Sequence, residues 1–242
     1  MHLTRFRINT HRVGARKLLS SPQVMHAAVM SSFAEVLPSD SNGPRVLWRV
    51  DRNDKAEVFL YIVSPVKPDL THMVEQAGWP STGTWQTYDY APFLSRLSKG
   101  DTWQFRLTAN PVHSIRRTPS EPTKVTAHVT PRHQIGWLLK RQESAGFRVV
   151  EKSEEQRRLP EGDEYELIVR DRRNSAFHKS GSARSGGRQG GGERRKPVSL
   201  TTATFDGRLE VTDPEALRRT LTAGLGRGKA YGCGLMTLAP GR

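Results

Sequence analysis

The sequence predicts an α+β protein built from two tandem ferredoxin-like domains with antiparallel sheets. Three observations carry that expectation. Strand-like and helix-like segments run in the order β-α-β-β-α-β through the first third of the chain. A roughly similar order, with long insertions, recurs after it. The 242 residues suffice for two units that each bury a core.

In residues 3–8, Leu3, Phe6 and Ile8 alternate with Arg5 and Arg7, the period of a strand. Ser21-Pro22 opens a helix, with a serine N-cap and a proline where the missing N–H costs nothing. Met25, Val29, Phe33 and Val36 then recur at helical spacing, and Pro38 ends the run. Strands over 46–50 and 58–63 flank the turn-rich Asp51-Arg52-Asn53-Asp54. A short helix over 69–77 and a strand over 84–90 complete the first unit. Residues 97–100 read as a joint, dividing a first domain, 1–96, from a second, 97–242. The second carries a strand over 102–107 and a helix over 131–145 with Ile135, Leu138 and Leu139 inside. Residues 147–150, 166–169, 200–205 and 209–211 are strand-like. Thr212-Asp213-Pro214 caps a helix over 215–221, and 235–238 is the last strand.

Charge is the most informative bulk property. Lys and Arg total 38 against 24 Asp and Glu, a net charge of +14, with a pI near 10.5. Such a surplus points to a polyanion, because each cation placed on a phosphate releases counterions. A membrane surface would call for a basic amphipathic helix or a lipidation site, and neither is present. The single cysteine, Cys233, excludes an internal disulfide and a Cys-rich zinc site. The first ten residues do not read as a signal peptide, and the longest apolar strand-like run, 58–63, is too short to span a bilayer. A soluble, reduced, cytoplasmic protein is the expectation.

Residues 170–196 hold nine Lys or Arg against Asp171 and Glu193, a net +7. Within them, 181–192 contains six glycines. The composition fits a solvated flexible loop, or a long hairpin insertion, about 170–197, whose basic arms track phosphates. A second glycine-rich stretch, 224–234, contains five glycines together with Arg227, Gly228 and Lys229. It reads as a tight helix-to-strand connection or as a loop whose amides and cations approach phosphates.

Metal catalysis is not expected: there is no HExxH, no Cys pair and no tight carboxylate cluster. His128 and His133, five apart across Pro131, are a weak hint of anything. Gly228-Lys229 lacks the following Ser or Thr of a P-loop, and Tyr231 falls where a dinucleotide fingerprint needs its third glycine. His26 lies in the second turn of the Pro22 helix, on the edge of its apolar stripe. Pattern alone favours a packing role; beside RNA, such an imidazole can also serve as general acid or base. His113, near Arg116 and Arg117, reads as a phosphate or surface contact, and both arginines are RNA-contact candidates.

Several blocks together resemble one family, the CasE-type CRISPR repeat endoribonucleases of type I-E Cascade. They are Leu3-Thr4-Arg5, Pro22-Gln23-Val24-Met25-His26, Leu47-Trp48-Arg49-Val50 and Phe105-Arg106-Leu107-Thr108-Ala109-Asn110-Pro111. Ile135-Gly136-Trp137-Leu138, Phe205-Asp206-Gly207-Arg208-Leu209 and the closing 224–240 complete the set. The resemblance implies tandem ferredoxin-like domains and metal-free cleavage of repeat RNA on the 3′ side of its hairpin. The 2′-hydroxyl would attack its own phosphate, leaving a 2′,3′-cyclic phosphate and a 5′-hydroxyl. It implies His26 as the catalytic histidine, with Arg16 and Lys17 as charge stabilisers. Gln23 stands where some members carry tyrosine. The basic insertion corresponds to the family's RNA-gripping hairpin, with Arg170, Arg172 and Arg173 as contacts. No cofactor is implied, and the partners are the CRISPR repeat hairpin and the other Cascade subunits. The rival readings are a hairpin-binding protein that does not cut and a non-catalytic scaffold subunit. A typical RNA-recognition-motif string is absent, which weakens single-strand stacking as the binding mode.

Overall fold

Four antiparallel strands, β1 (His2–Ile8), β2 (Leu47–Arg52), β3 (Val58–Ser64) and β4 (Gln86–Asp89), form the first sheet in the order β2-β3-β1-β4. The computed structural model describes residues 1–35, 43–80, 85–116, 118, 122–159, 162–177 and 198–241. Helices α1 (Val13–Ser20), α2 (Pro22–Met30) and α3 (Thr71–Ala77) cover one face of this sheet. The period-two pattern explains why. Phe6, Ile8, Trp48, Val58, Leu60 and Ile62 pack against Ala15, Leu18, Met25, Val29 and Met73. The alternate residues Leu3, Leu47, Tyr61 and Val63 face the other way and join the core of the second unit. β2 and β3 are therefore buried on both faces.

The Pro22 helix starts where expected. Ser21 is extended, as a residue before proline must be, and its hydroxyl accepts from the Gln23 amide at 3.3 Å. The helix ends at Met30, earlier than the Phe33–Pro38 spacing suggested; Val36 and Pro38 lie outside the described residues. Helix α1 was missed because Gly14 reads as a breaker. A Cβ there would stand 2.4 Å from the Gln76 carbonyl oxygen, so glycine lets α1 lie on α3.

The second sheet holds β5 (Thr102–Ala109), β8 (Phe147–Val149), β10 (Val198–Val211) and β11 (Met236–Pro240) in the order β11-β5-β10-β8, all antiparallel. Taken in chain order, both sheets run fourth-first-third-second, so the two units share one topology. Helix α4 (Ala91–Arg96) joins them, and its Leu94 packs with Leu97 in the second core. Helices α5 (Pro131–Gln142) and α6 (Pro214–Ala223) pack Trp137, Leu138, Leu217 and Leu221 against Phe105, Leu107, Phe147 and Phe205. Thr130 and Asp213 cap them, each followed by proline at the first helical position. A small hairpin of β6 (Val112–Ile115) and β7 (Lys124–Ala127) is a third sheet, unforeseen because each strand is only four residues long and none of its residues is buried.

Two expectations need correction. Residues 200–205 and 209–211 are one strand, β10, which runs through Asp206-Gly207. Gly207 serves close approach rather than a break, since a Cβ there would meet the Glu166 carbonyl at 2.4 Å. Residues 166–169 are only the start of β9 (Leu167–Phe177), which pairs along β10 as the arm of a long hairpin. Arg173 pairs with Thr202 and Arg170 with Thr204, so two residues oppose one. Asp171 in this bulge takes φ 52°. Residues 178–197, including the glycine-rich tip, lie outside the described residues. Among the described residues no helix is long and apolar enough to cross a membrane.

The two units are joined through a buried arginine. Arg49 is 2% exposed and donates five hydrogen bonds. Nε and Nη2 grip Asp51 at 2.7 and 2.9 Å, and Nη1 reaches the carbonyls of Arg106 and Leu235 at 2.8 Å. Nη2 also reaches the Thr237 hydroxyl at 2.8 Å. The network continues through Arg106 to Asp206 at 2.6 Å, and from Asp206 to Arg170 at 2.6 Å.

Candidate functional site

His26 sits half-buried on α2. Its Nδ1 is sealed from solvent without a hydrogen-bond partner. Burial, then the positive charge of Arg45, holds the imidazole below the usual histidine range. Arg45 was not foreseen. It stands just before β2, its amide donating to the Thr222 carbonyl at 3.2 Å, and nothing in its surroundings in sequence marks it. Burial and the same Arg45 also depress the Lys229 ammonium. Arg45 thus ties His26 electrostatically to the glycine-rich loop, and the 3-10 turn Lys229–Tyr231 packs directly on α2. A neutral imidazole beside Arg45, which in turn acts on the desolvated Lys229, can take a proton while the cations meet a developing negative charge.

All five glycines of the 224–234 loop take positive φ. Backbone geometry therefore accounts for the glycine count, and any role toward phosphate rests on the cations between them. These diverge. Lys229 lies on the Arg45 side, whereas Arg227 is exposed and lines a pocket with α5. Gly228 supplies the left-handed residue that opens the 3-10 turn.

Beside α2 a cleft opens between the α1–α2 corner, the end of β2 and the hairpin arms. Ser21, Pro22, Met25, Arg170, Arg173 and Tyr231 are among its walls, while His26 lies outside them. The Tyr231 ring meets Phe177 of β9 edge-on, centroids 4.7 Å apart, so the hairpin touches the glycine-rich loop. The three hairpin arginines differ in their engagements. Arg170 is ion-paired with Asp206, Arg172 donates to the Val129 carbonyl at 2.9 Å, and Arg173 lines the cleft. Arg16 and Lys17 are exposed on α1, a helix of their own rather than a lead-in to α2. Arg116 is exposed just after β6, and Arg117 lies outside the described residues. Among the described residues no three His, Cys, Asp or Glu side chains converge where they could hold a metal ion.

Two ferredoxin-like sheets held through Arg49, with a half-buried imidazole beside Arg45 on the helix that meets the glycine-rich loop, define a tandem ferredoxin-like protein whose working face suits a polyanion. The family described as CRISPR associated protein matches residues 1–240, and the chain belongs to it. A curated relative, the CRISPR-associated endoribonuclease Cse3 of Thermus thermophilus, is 30% identical over 241 residues. The match covers 99% of this chain and all of the relative. The solved structure of Thermus thermophilus Cse3 bound to an RNA representing a pre-cleavage complex is 27% identical with a TM-score of 0.70. That match covers 99% of this chain and 98% of the other. Cas6e from Escherichia coli K-12 shares the fold, with a TM-score of 0.61 at 22% identity over 99% of this chain and all of that one.

Proposed function

We propose that the chain is a metal-independent, hairpin-specific endoribonuclease that cleaves CRISPR precursor RNA on the 3′ side of the repeat stem-loop. It then keeps the mature RNA as a cytoplasmic Cascade subunit. The observation that carries this reading is the half-buried His26 imidazole, electrostatically coupled to Arg45 in a chain similar over its full length to an endoribonuclease solved with RNA. The N-terminal unit, 1–96, supplies the catalytic helix. The C-terminal unit, 97–242, supplies the basic hairpin and the glycine-rich loop.

In the reaction the 2′-oxygen bonds to the adjacent phosphorus and the bond from phosphorus to the 5′-oxygen breaks. A 2′,3′-cyclic phosphate and a 5′-hydroxyl result. His26, kept neutral by burial and Arg45, accepts the 2′-hydroxyl proton; the leaving 5′-oxygen receives a proton in turn. Arg45 and Lys229 offset the charge on the phosphorane, and a desolvated cation does so more strongly than one in water. Arg16 and Lys17, exposed on α1, hold flanking phosphates, as do Arg116, Arg117, Arg227 and the Gly228 amide. The hairpin arginines Arg170, Arg172 and Arg173 grip the stem. A-form RNA hides its bases in a deep, narrow major groove, so the stem is recognised by shape and phosphates.

The test is incubation of wild type and His26→Ala with a labelled type I-E repeat hairpin in excess EDTA. Wild type should cut beside the stem and leave a cyclic phosphate. The variant should bind with nearly unchanged affinity and not cut, because one imidazole adds little to a polycationic grip. Activity that disappears in EDTA and returns with Mg²⁺ would overturn the metal-free mechanism. Binding without a cut by either protein would favour a hairpin-binding subunit.

A further inference from the structure

Against Gly226 and Arg227 of the glycine-rich loop lies a second cationic pocket, formed with the start of β6 and α5. Three imidazoles are stacked at it. The His113 and His128 rings have centroids 4.3 Å apart at 28°, and those of His128 and His133 are 5.9 Å apart at 23°. Arg132, Lys140, Arg141 and Arg227 surround them, and among the described residues lining the pocket there is no carboxylate. Three atoms of lining residues, His113 Nδ1, Asn110 Oδ1 and Trp137 Nε1, are buried without a partner. His128, held between two imidazoles and flanked by four cations, gains a positive charge more readily when an anion enters. Four cations converging without an acid, with the unpartnered Trp137 Nε1–H donor among the lining, describe a site for an anion.

Resting on the reading of the chain as an RNA endonuclease, the geometry points to a second RNA-backbone subsite here. Arg132, Lys140 and Arg227 hold a phosphodiester, and His128, in the middle of the stack, takes up a proton as it binds. Arg227 lines this pocket, while Lys229, two residues further on, shares the influence of Arg45 with His26, so a strand held near His26 has a path over the loop to the stack. His128 is the centre of the response. Burial, then His113, His133, Lys140 and Arg141, hold its imidazole below the usual range, and a phosphate would push it back up. The charged and titratable groups facing it are His113 on β6, the α5 side chains Arg132, His133, Lys140 and Arg141, and Arg227. Three neighbours modulate these. Thr130 hydrogen-bonds His133 Nδ1 at 2.8 Å, Glu164 acts electrostatically on Arg132, and Arg172 of β9 reaches the Val129 carbonyl. A proton bound more tightly in the complex than in the free protein requires affinity to rise as pH falls.

The experiment measures repeat-hairpin affinity at constant ionic strength from about pH 8 to about pH 6. Every protein carries His26→Ala, which removes cleavage and that histidine's own titration. The parent should gain about three- to tenfold in affinity as pH falls, and the further change His128→Asn should flatten the dependence. Arg132→Gln with Lys140→Gln changes exposed side chains that the fold does not need. This pair should lower the slope of log affinity against log salt by about one to two. An equal pH gain with and without His128, or a salt slope untouched by the pair, would overturn the subsite while leaving the nuclease reading intact. Failure of the parent to bind the hairpin at any pH would overturn both.

Discussion

Replacing Arg49 with methionine keeps most of the side-chain volume and removes the charge that joins the two sheets. Five hydrogen bonds disappear, three of them to Arg106, Leu235 and Thr237 in the second unit. Among the described residues the Asp51 carboxylate, with a side chain 11% exposed, then keeps only Arg106 at 3.6 Å. Breaking a buried ion pair from one side costs about 3–5 kcal/mol, chiefly because the remaining charge is stranded. For a chain of this length each kcal/mol lowers Tm by about 2–4 °C, so the melting point should fall by roughly 6–20 °C. Scanning calorimetry checks the fall, and a split into two transitions would show the units separating. Arg49→Met with Asp51→Asn relieves the stranded charge, and should recover about 0.5–3 kcal/mol relative to the sum of the single changes. A loss under about 1 kcal/mol for Arg49→Met, or no recovery in the pair, would refute the claim that this arginine holds the units together.

Further expectations concern the site. Because burial and Arg45 both lower the His26 pKa, single-turnover cleavage should keep its rate to a pH below the ordinary histidine range and fall only beneath it. Arg45→Met should move that acid limb upward; a rate that instead rises on acidification would make His26 the acid. Changing Arg170, Arg172 and Arg173 together to Gln should lower the salt slope of hairpin binding by about one to two, less than three because Arg170 already pairs with Asp206. An unchanged slope would remove the hairpin arm from the RNA face. Gly232→Ala places a Cβ 2.7 Å from the Trp48 ring at φ +80°, and should cost roughly 2–4 kcal/mol by urea denaturation. A cost near zero would mean that the loop is free to move off Trp48.

The elements that sequence reading placed correctly are those whose information is local. Ser21-Pro22 and Asp213-Pro214 announce helix starts because cap and proline chemistry acts within three residues. The alternation of Phe6 and Ile8 with Arg5 and Arg7 announces a strand because pleating is local too. Both ferredoxin-like units were therefore legible, as was His26 as a candidate. Helices α1 and α4 were not: Gly14 and Pro92 look like breaks until α3 and the second core are seen beside them.

The amino-acid order by itself determined the repeated βαββαβ pattern, the basic surplus and its concentration in residues 170–196. Each of these is a sum or a period along the chain. Only the tertiary structure decided that Arg45 would meet His26 and Lys229, and that Arg49 would reach Leu235 and Thr237. It alone gathered His113, His128 and His133 into one stack and paired Arg170 with Asp206. Charge and desolvation act through space, over a few ångströms that can separate residues nearly two hundred positions apart. No spacing along the chain encodes which cations will surround a given imidazole.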